Sequence, residues 1–328
     1  MKHLAKYILQ FTILVCSVLL GVFYPQSAHA ELKKVHFLIP GGAGGGWDST
    51  ARGVGQALTN SKLVKRASYQ NMSGGGGGRA IANLINTARR HQNTLMINST
   101  PLIIRSLQKI FTYTFQDLTP IAAVISDYGV LAVSINSKLT SWSDALDQFH
   151  KDPTQLAIGG GSGRGSLDHL VVAQIFQVAG ADPKEIRYIP YDAGGKAMAG
   201  LLSGETQILS TGLGEALEQH RAGQIRILAI TSEKRSLAIP NVPTFTELGC
   251  PAVFLNWRGF FGPPNLSEKK VNMYNQILEK MFKTAEWESI RKRNGWQNQH
   301  IAGQKFQEFL KQQEIQVTQL MKSLDFLK

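Results

Sequence analysis

The sequence predicts an α/β protein built as two lobes, each a mixed, mostly parallel sheet flanked by helices. Three observations carry this. Short apolar runs alternate with amphipathic stretches along most of the chain, the pattern of strand–helix–strand units. At least four strand-to-helix junctions hold a loop rich in glycine or serine. Once an N-terminal leader is set aside, the length suits two domains of ordinary size.

The leader is read from residues 1–30. Lys2 and Lys6 give a positive start, residues 7–23 are mostly apolar, Pro25 breaks a helix, and Ala28 and Ala30 flank His29. That is a secretory signal peptide with cleavage expected after Ala30. The apolar run holds Gln10, Thr12 and Ser17, which argues against an uncleaved span of ~20 apolar residues. A lipid-attachment start at Cys16 is disfavoured by the bulky Val15 before it. Cleavage leaves 298 of the 328 residues. Two lysines and no acid leave with the leader, so the net charge of +12 becomes +10. Export makes nucleic acid a poor partner for this charge, and an acidic small molecule suits it better. Many of the lysines lie in the C-terminal helical region, where charge also covers a solvated face. Cys250 alone remains after cleavage, so no internal disulfide and no thiolate metal cluster is expected. The six remaining histidines show no close helical pair of the zinc-site kind. No cofactor or metal is expected.

The elements follow in order. Residues 35–39 read as a strand that enters the glycine-rich stretch 40–46, and Asp48 is placed as the N-cap of a helix running to about Leu58. A strand at 67–70, the glycines 74–78 and a helix at 79–87 form a second unit. A strand at 94–98 ends in Ser99, Thr100 and Pro101. Residues 130–133 read as a buried strand and 143–149 as a short helix. The strand 156–158 enters the loop 159–166 ahead of a helix at 167–179. The strand 186–189 enters residues 191–195 ahead of a helix to Leu202. Strands at 208–209 and 225–230 follow, the first ending in residues 210–214. Ser267 is a natural N-cap for a helix bearing Val271, Tyr274, Leu278 and Met281. A last helix carries Phe306, Leu310, Val317 and Leu324 on one face, and both stripes read as core contacts. The chain is expected to cross between lobes near residues 126–131 and to return near 231–239. Lobe 1 is then 31–128 plus 236–328, and lobe 2 is 129–235.

A glycine loop ahead of a helix turns backbone N–H groups toward a ligand at the positive end of the helix dipole, which makes an anion site without a charged side chain. One such loop alone is as readily a plain turn. Four on one sheet edge read as a shared site. The spacings argue against nucleotides. A G-x-G-x-x-G fingerprint begun at Gly42 needs glycine at Trp47, and one begun at Gly44 needs it at Ser49. Begun at Gly159 or Gly161, it meets Arg164 or Ser166. The nearest P-loop string, Gly195-Lys196-Ala197, lacks the hydroxyl and has Pro190 where the first glycine belongs. A nucleophile elbow at Ser162 fails because Arg164 replaces its last glycine. No nucleophile–base pair stands out, so no enzyme activity is expected. His169 reads as a packed or surface histidine, and Arg164, Lys196 and Glu215 each read as candidate surface charges. Lys196 has the strongest claim to function because it follows two glycines at a helix start.

Several segments, in order, resemble the substrate-binding proteins of tripartite tricarboxylate transporters, the Bug family of extracytoplasmic solute receptors. They are IPGGAGGGWD at 39–48, NMSGGGGG at 71–78, AIGGGSGRGSLDHL at 157–170, YDAGGKA at 191–197 and WRGFFGPP at 257–264. The resemblance covers nearly all of the chain after the leader. It implies a two-lobe periplasmic-binding-protein fold, type II-like, that closes on a small carboxylate and hands it to membrane permease subunits. It implies ligand contacts at Gly44, Gly45, Gly46 and Asp48 on one wall with Ser99 behind them. From the other lobe it implies Ser162, Gly163 and Ser166, with Gly194, Gly195 and Ala197 at the next helix start. Two departures stand out: Gln207 occupies an often acidic position, and Lys196 stands where a neutral or acidic residue is common. An added cation at Lys196 favours a tricarboxylate such as citrate. The chain is expected to be a periplasmic monomer. A secreted enzyme acting on a carboxylic acid and a receptor feeding a sensor kinase are the alternatives.

Overall fold

The computed structural model describes residues 32–327, so the expected leader at 1–30 lies outside the described residues. The first strand, β1 (Val35–Ile39), is buried along almost its whole length and pairs in parallel with β2 (Ala67–Asn71) and β3 (Thr94–Ser99). The near-continuous apolar run is what a strand covered on both faces requires. Between them lie α1 (Gly46–Asn60) and α2 (Gly78–Asn86). After β3 the chain turns at once into α3 (Thr100–Leu107), with Pro101 in its first turn.

The centre of the molecule is β4 (Thr119–Ser134), 16 residues long. Its first part pairs antiparallel with β9 (Leu255–Gly262), from Thr119↔Gly262 to Tyr128↔Leu255. Its second part, from Gly129 onward, pairs antiparallel with β7 (Ile208–Gly212) and with β8 (Ile225–Ile230). β9 also pairs antiparallel with β3. Beyond β7 come β5 (Ala157–Gly160) and β6 (Arg187–Pro190), both parallel. The main path is β2-β1-β3-β9-β4-β7-β5-β6, with β8 and β10 (Gln297–Ala302) also paired to β4. The parallel pairing expected from the alternating pattern is thus confined to the two flanks. The middle is antiparallel because β4 runs unbroken through both halves of the sheet.

The helices of the second flank are α4 (Trp142–Lys151), α5 (Leu167–Val178), α6 (Gly194–Leu202) and α7 (Leu213–Arg221). The C-terminal part returns to the first flank through α8 (Glu268–Met281), α9 (Ala285–Arg293) and α10 (Gln304–Ser323). The expected stripes bury except at Val271, which is half-buried: Tyr274, Leu278 and Met281 on α8, and Phe306, Leu310 and Val317 on α10, are each at most 4% exposed. One apolar core joins the flanks, from Leu38 and Met96 through Leu131 and Trp257 to Ile158 and Phe176. A smaller core lies under α6 and α7, around Leu201, Leu209 and Leu217. The loops that follow β1, β2, β5, β6 and β7 open toward one another, which puts the glycines in one place.

Candidate ligand site

A cavity of about 340 Å³ lies among these loops. On one side, the chain leaves β1 and enters α1 with Gly45 as the N-cap, in extended conformation. Asp48 is therefore not the cap expected of it. It is the third residue of α1, where it reaches back to accept the Gly44 N–H at 3.1 Å. It also accepts from Arg52 Nε at 2.8 Å and Asn71 Nδ2 at 3.0 Å, and is 5% exposed. A carboxylate in the first turn still favours the helix dipole. Here its main effect is to lock the first glycine loop to the end of β2. Trp47 donates Nε1–H to Ser99 Oγ at 2.9 Å, so Ser99 supports the loop from behind. Gly74, Gly75, Gly76 and Gly77 all have positive φ, which L side chains rarely adopt in succession.

The opposite wall begins at the end of β5. A methyl placed on Gly161 would overlap the backbone of Gly194, so these two loops are in van der Waals contact. Ser162 Oγ accepts the Asp168 N–H at 3.0 Å, and Tyr188 Oη donates to the Ser162 carbonyl at 2.7 Å. Ser166 is the N-cap of α5, 2% exposed. His169 accepts the Gly165 N–H through Nδ1 at 2.9 Å and stacks on Tyr188 at 4.5 Å. Burial, then the nearby Arg164 and Arg105, hold its imidazole down to about 4, so it is a neutral packed histidine.

Of the residues singled out by the sequence, Gly45, Gly46, Ser99, Ser162, Gly163, Ser166 and Gly194 line the cavity. Gly44, Asp48, Gly195, Lys196 and Ala197 are not on its wall. Ala197 is fully buried in the smaller core. The Lys196 side chain is 70% exposed and sits 3.8 Å from Asp192, on the outward side of α6. Glu215, read as a candidate surface charge, is instead half-buried on the cavity wall, with its side chain 14% exposed.

Glu215 belongs to a cluster that sequence reasoning missed. Arg258, on β9 and 2% exposed, donates Nη2 to Asp127 Oδ2 at 3.3 Å and to Glu215 Oε2 at 3.4 Å, and Nη1 to Thr50 Oγ1 at 3.1 Å. Burial pushes both carboxyls above their ordinary range, although Arg258 pulls each back down. Asp168, also on the wall, is raised to about 7 by burial and then by the Glu215 charge, against opposing bonds from Ser162. Its ordinary value is 3.8, so the folded chain keeps a proton that the unfolded chain sheds between those values. This contribution to stability is complete below about pH 4 and is lost as pH rises through about 7. The melting temperature should therefore fall from pH 5 to pH 8 partly through Asp168. In Asp168→Asn that decline should be shallower, and an unchanged slope would rule the effect out.

Arg105 was missed too, because the short helix α3 that carries it was not foreseen. It is 7% exposed, lines the cavity, and donates Nη1 to Gln108 Oε1 at 2.8 Å and to the Arg164 carbonyl at 3.1 Å. Gln108 Nε2 donates to the Gly165 carbonyl at 2.9 Å. The signal was one charge directly after the apolar run 101–104.

Residues 51–326 match the family described as the tripartite tricarboxylate transporter family receptor. Protein BugT of Bordetella pertussis is 29% identical over 273 residues, covering 80% of this chain and 81% of BugT. A Rhodopseudomonas palustris protein solved with adipate aligns at a TM-score of 0.81 and 21% identity, over 89% of this chain and 97% of its own. MatC from the same organism, with bound malate, aligns at 0.74 and 18% identity, over 90% and 99%. These two share the fold: a curled mixed sheet flanked by helices, in the manner of the periplasmic binding proteins. With the family matched along nearly the whole described chain, the protein belongs to the tripartite tricarboxylate transporter receptors and is a Bug-family solute-binding receptor.

Proposed function

We propose that this receptor works in the periplasm, after loss of residues 1–30, and closes two lobes over a small di- or tricarboxylate that it delivers to the permease subunits of a tripartite transporter. The observation that carries this is the meeting of glycine loops and helix starts from both flanks of the sheet around one cavity, an arrangement suited to holding an anion from two sides. β4 exchanges partners at Tyr128 and Gly129, and the two lobes are taken to move about this exchange. Among the described residues, no helix is long and apolar enough to cross a membrane. The reading is of a binder without turnover. The fold neighbours solved with malate and adipate support a dicarboxylate. Lys196, the residue that would favour a citrate-like ligand, stands off the wall and lends a tricarboxylate no support. Asp168 and Glu215 on the wall also suit a dianion better than a trianion.

A thermal-shift screen of residues 31–328 against succinate, malate, adipate, citrate, glutamate and phosphate tests the reading. A ligand at one hundred times its Kd should add about 2.7 kcal/mol of stability. A shift with one carboxylate class, and no consumption of that compound over hours, is the expected result. Turnover, or no shift with any carboxylate, would sink it.

A further inference from the structure

The guanidinium of Arg105 is a buried cation with no carboxylate to meet it. Among the described residues it makes no ion pair, and its electrostatic surroundings are burial, which depresses its pKa, and only the Tyr188 phenol acting the other way. Nη1 is committed to Gln108 and to the Arg164 carbonyl. Nε is buried and has no hydrogen-bond partner. Nη2 lies against Gly163, where any Cβ would overlap it, and a Cβ on Gly76 would stand 3.1 Å from Nε. The Nε–Nη2 edge is thus bordered by two residues without side chains, one from each flank of the sheet. Gly76, Gly163 and Arg105 all line the cavity.

A buried charge left without counter-charge and with an unmet donor is costly. Two parallel N–H donors on one edge of a guanidinium match the two oxygens of a carboxylate, in the side-on geometry that lysine does not reproduce. We propose that Nη2 of Arg105 takes one carboxylate of the ligand, with Nε, sealed in this structure, joining it side-on as the flanking glycine loops shift, and that Arg105 is the residue that selects a dicarboxylate over a monocarboxylate. The glycine loops hold the other carboxylate with backbone donors. This rests on the carboxylate-receptor reading above and adds the residue that sets the class.

The test is calorimetric titration of the chain after the leader with three matched pairs: succinate and butyrate, malate and 3-hydroxybutyrate, adipate and hexanoate. Each pair replaces one carboxylate by a methyl group. Wild type is expected to prefer a dicarboxylate over its partner. Arg105→Lys and Arg105→Met should weaken that dicarboxylate by about 30-fold, in keeping with the loss of a charged hydrogen-bonded pair, and leave the monocarboxylate within about threefold. Gln108→Ala keeps the guanidinium but removes the acceptor of Nη1 as well as the bond to Gly165, so it should weaken the dicarboxylate by less than either Arg105 variant does. Equal losses for both members in the Arg105 variants, or no loss, would overturn the proposal while leaving the receptor reading intact. No binding of any probe by the wild-type chain would overturn the receptor reading and this inference with it.

Discussion

Replacing Arg258 with methionine should cost the folded chain about 3–5 kcal/mol, the range for stripping one partner from a buried ion pair. The guanidinium is nearly sealed from water and is shared by Asp127 and Glu215, so its loss strands two carboxyls at once. Thr50 Oγ1 would also lose the donor that holds it against β9. The cost should depend on pH in a definite sense. Both carboxyls already titrate above their ordinary range, and without Arg258 they rise further. At acid pH they take up protons and become neutral, so the penalty shrinks. At pH 8 they must either ionise unpaired or hold protons against the solution. Urea unfolding of Arg258→Met at pH 5.5 and pH 8 should therefore show the larger loss at pH 8. A loss below about 1 kcal/mol at both would mean that the cluster contributes no more than a surface pair.

The second large effect is expected from one methyl group. In Gly161→Ala the new Cβ would sit 2.6 Å from Gly194 Cα and 2.8 Å from the Ala193 carbonyl carbon. Both neighbours are backbone, so no flexible side chain can give way. The loops after β5 and β6 must part, and Gly194 and Ser162 leave the positions from which they line the cavity. Overpacking of this kind costs roughly 1–3 kcal/mol. Affinity for the best carboxylate of the thermal-shift screen should fall by about 10–100-fold as that strain is taken out of binding. Gly180→Ala is a useful control, since nothing lies within 4 Å of its Cβ position and it is remote from the wall. Its positive φ predicts a small loss of stability with no change in affinity. Unaltered affinity in Gly161→Ala would mean that the contact between these loops does not shape the site.

The loops were legible because glycine announces itself: nothing else tolerates the run of positive φ at residues 74–77 or the approach of Gly161 to Gly194. The helix stripes were legible because a period of 3.6 survives in Phe306, Leu310 and Val317. What escaped were elements whose pattern is ambiguous. β4 is buried so fully that its apolar run has no period, and only residues 130–133 read as strand, whereas pairing extends it back to Thr119. β10 is polar over its first four residues and is a strand because β4 offers it an edge. α3 is a short helix whose Thr-Pro start reads equally as a turn. The site's charges escaped for the same reason. Arg258, Asp127 and Glu215 are 131 and 43 residues from one another by the bonds that join them, so only tertiary pairing brings them together. Lys196, which local sequence favoured, points outward because the start of α6 turns Gly194 to the cavity and the next two residues to solvent.

Trp47 stands on the cavity wall with its indole tied to Ser99, while Trp142, Trp257, Trp287 and Trp296 are each at most 4% exposed. Four of the five indoles are thus spectators in the core, and one faces whatever enters. The chain carries its own optical reporter. A ligand that displaces water from Trp47 or disturbs its bond to Ser99 should shift the emission of that residue against a constant background. Occupancy can then be followed in dilute solution without a label, and Trp47→Phe supplies the blank.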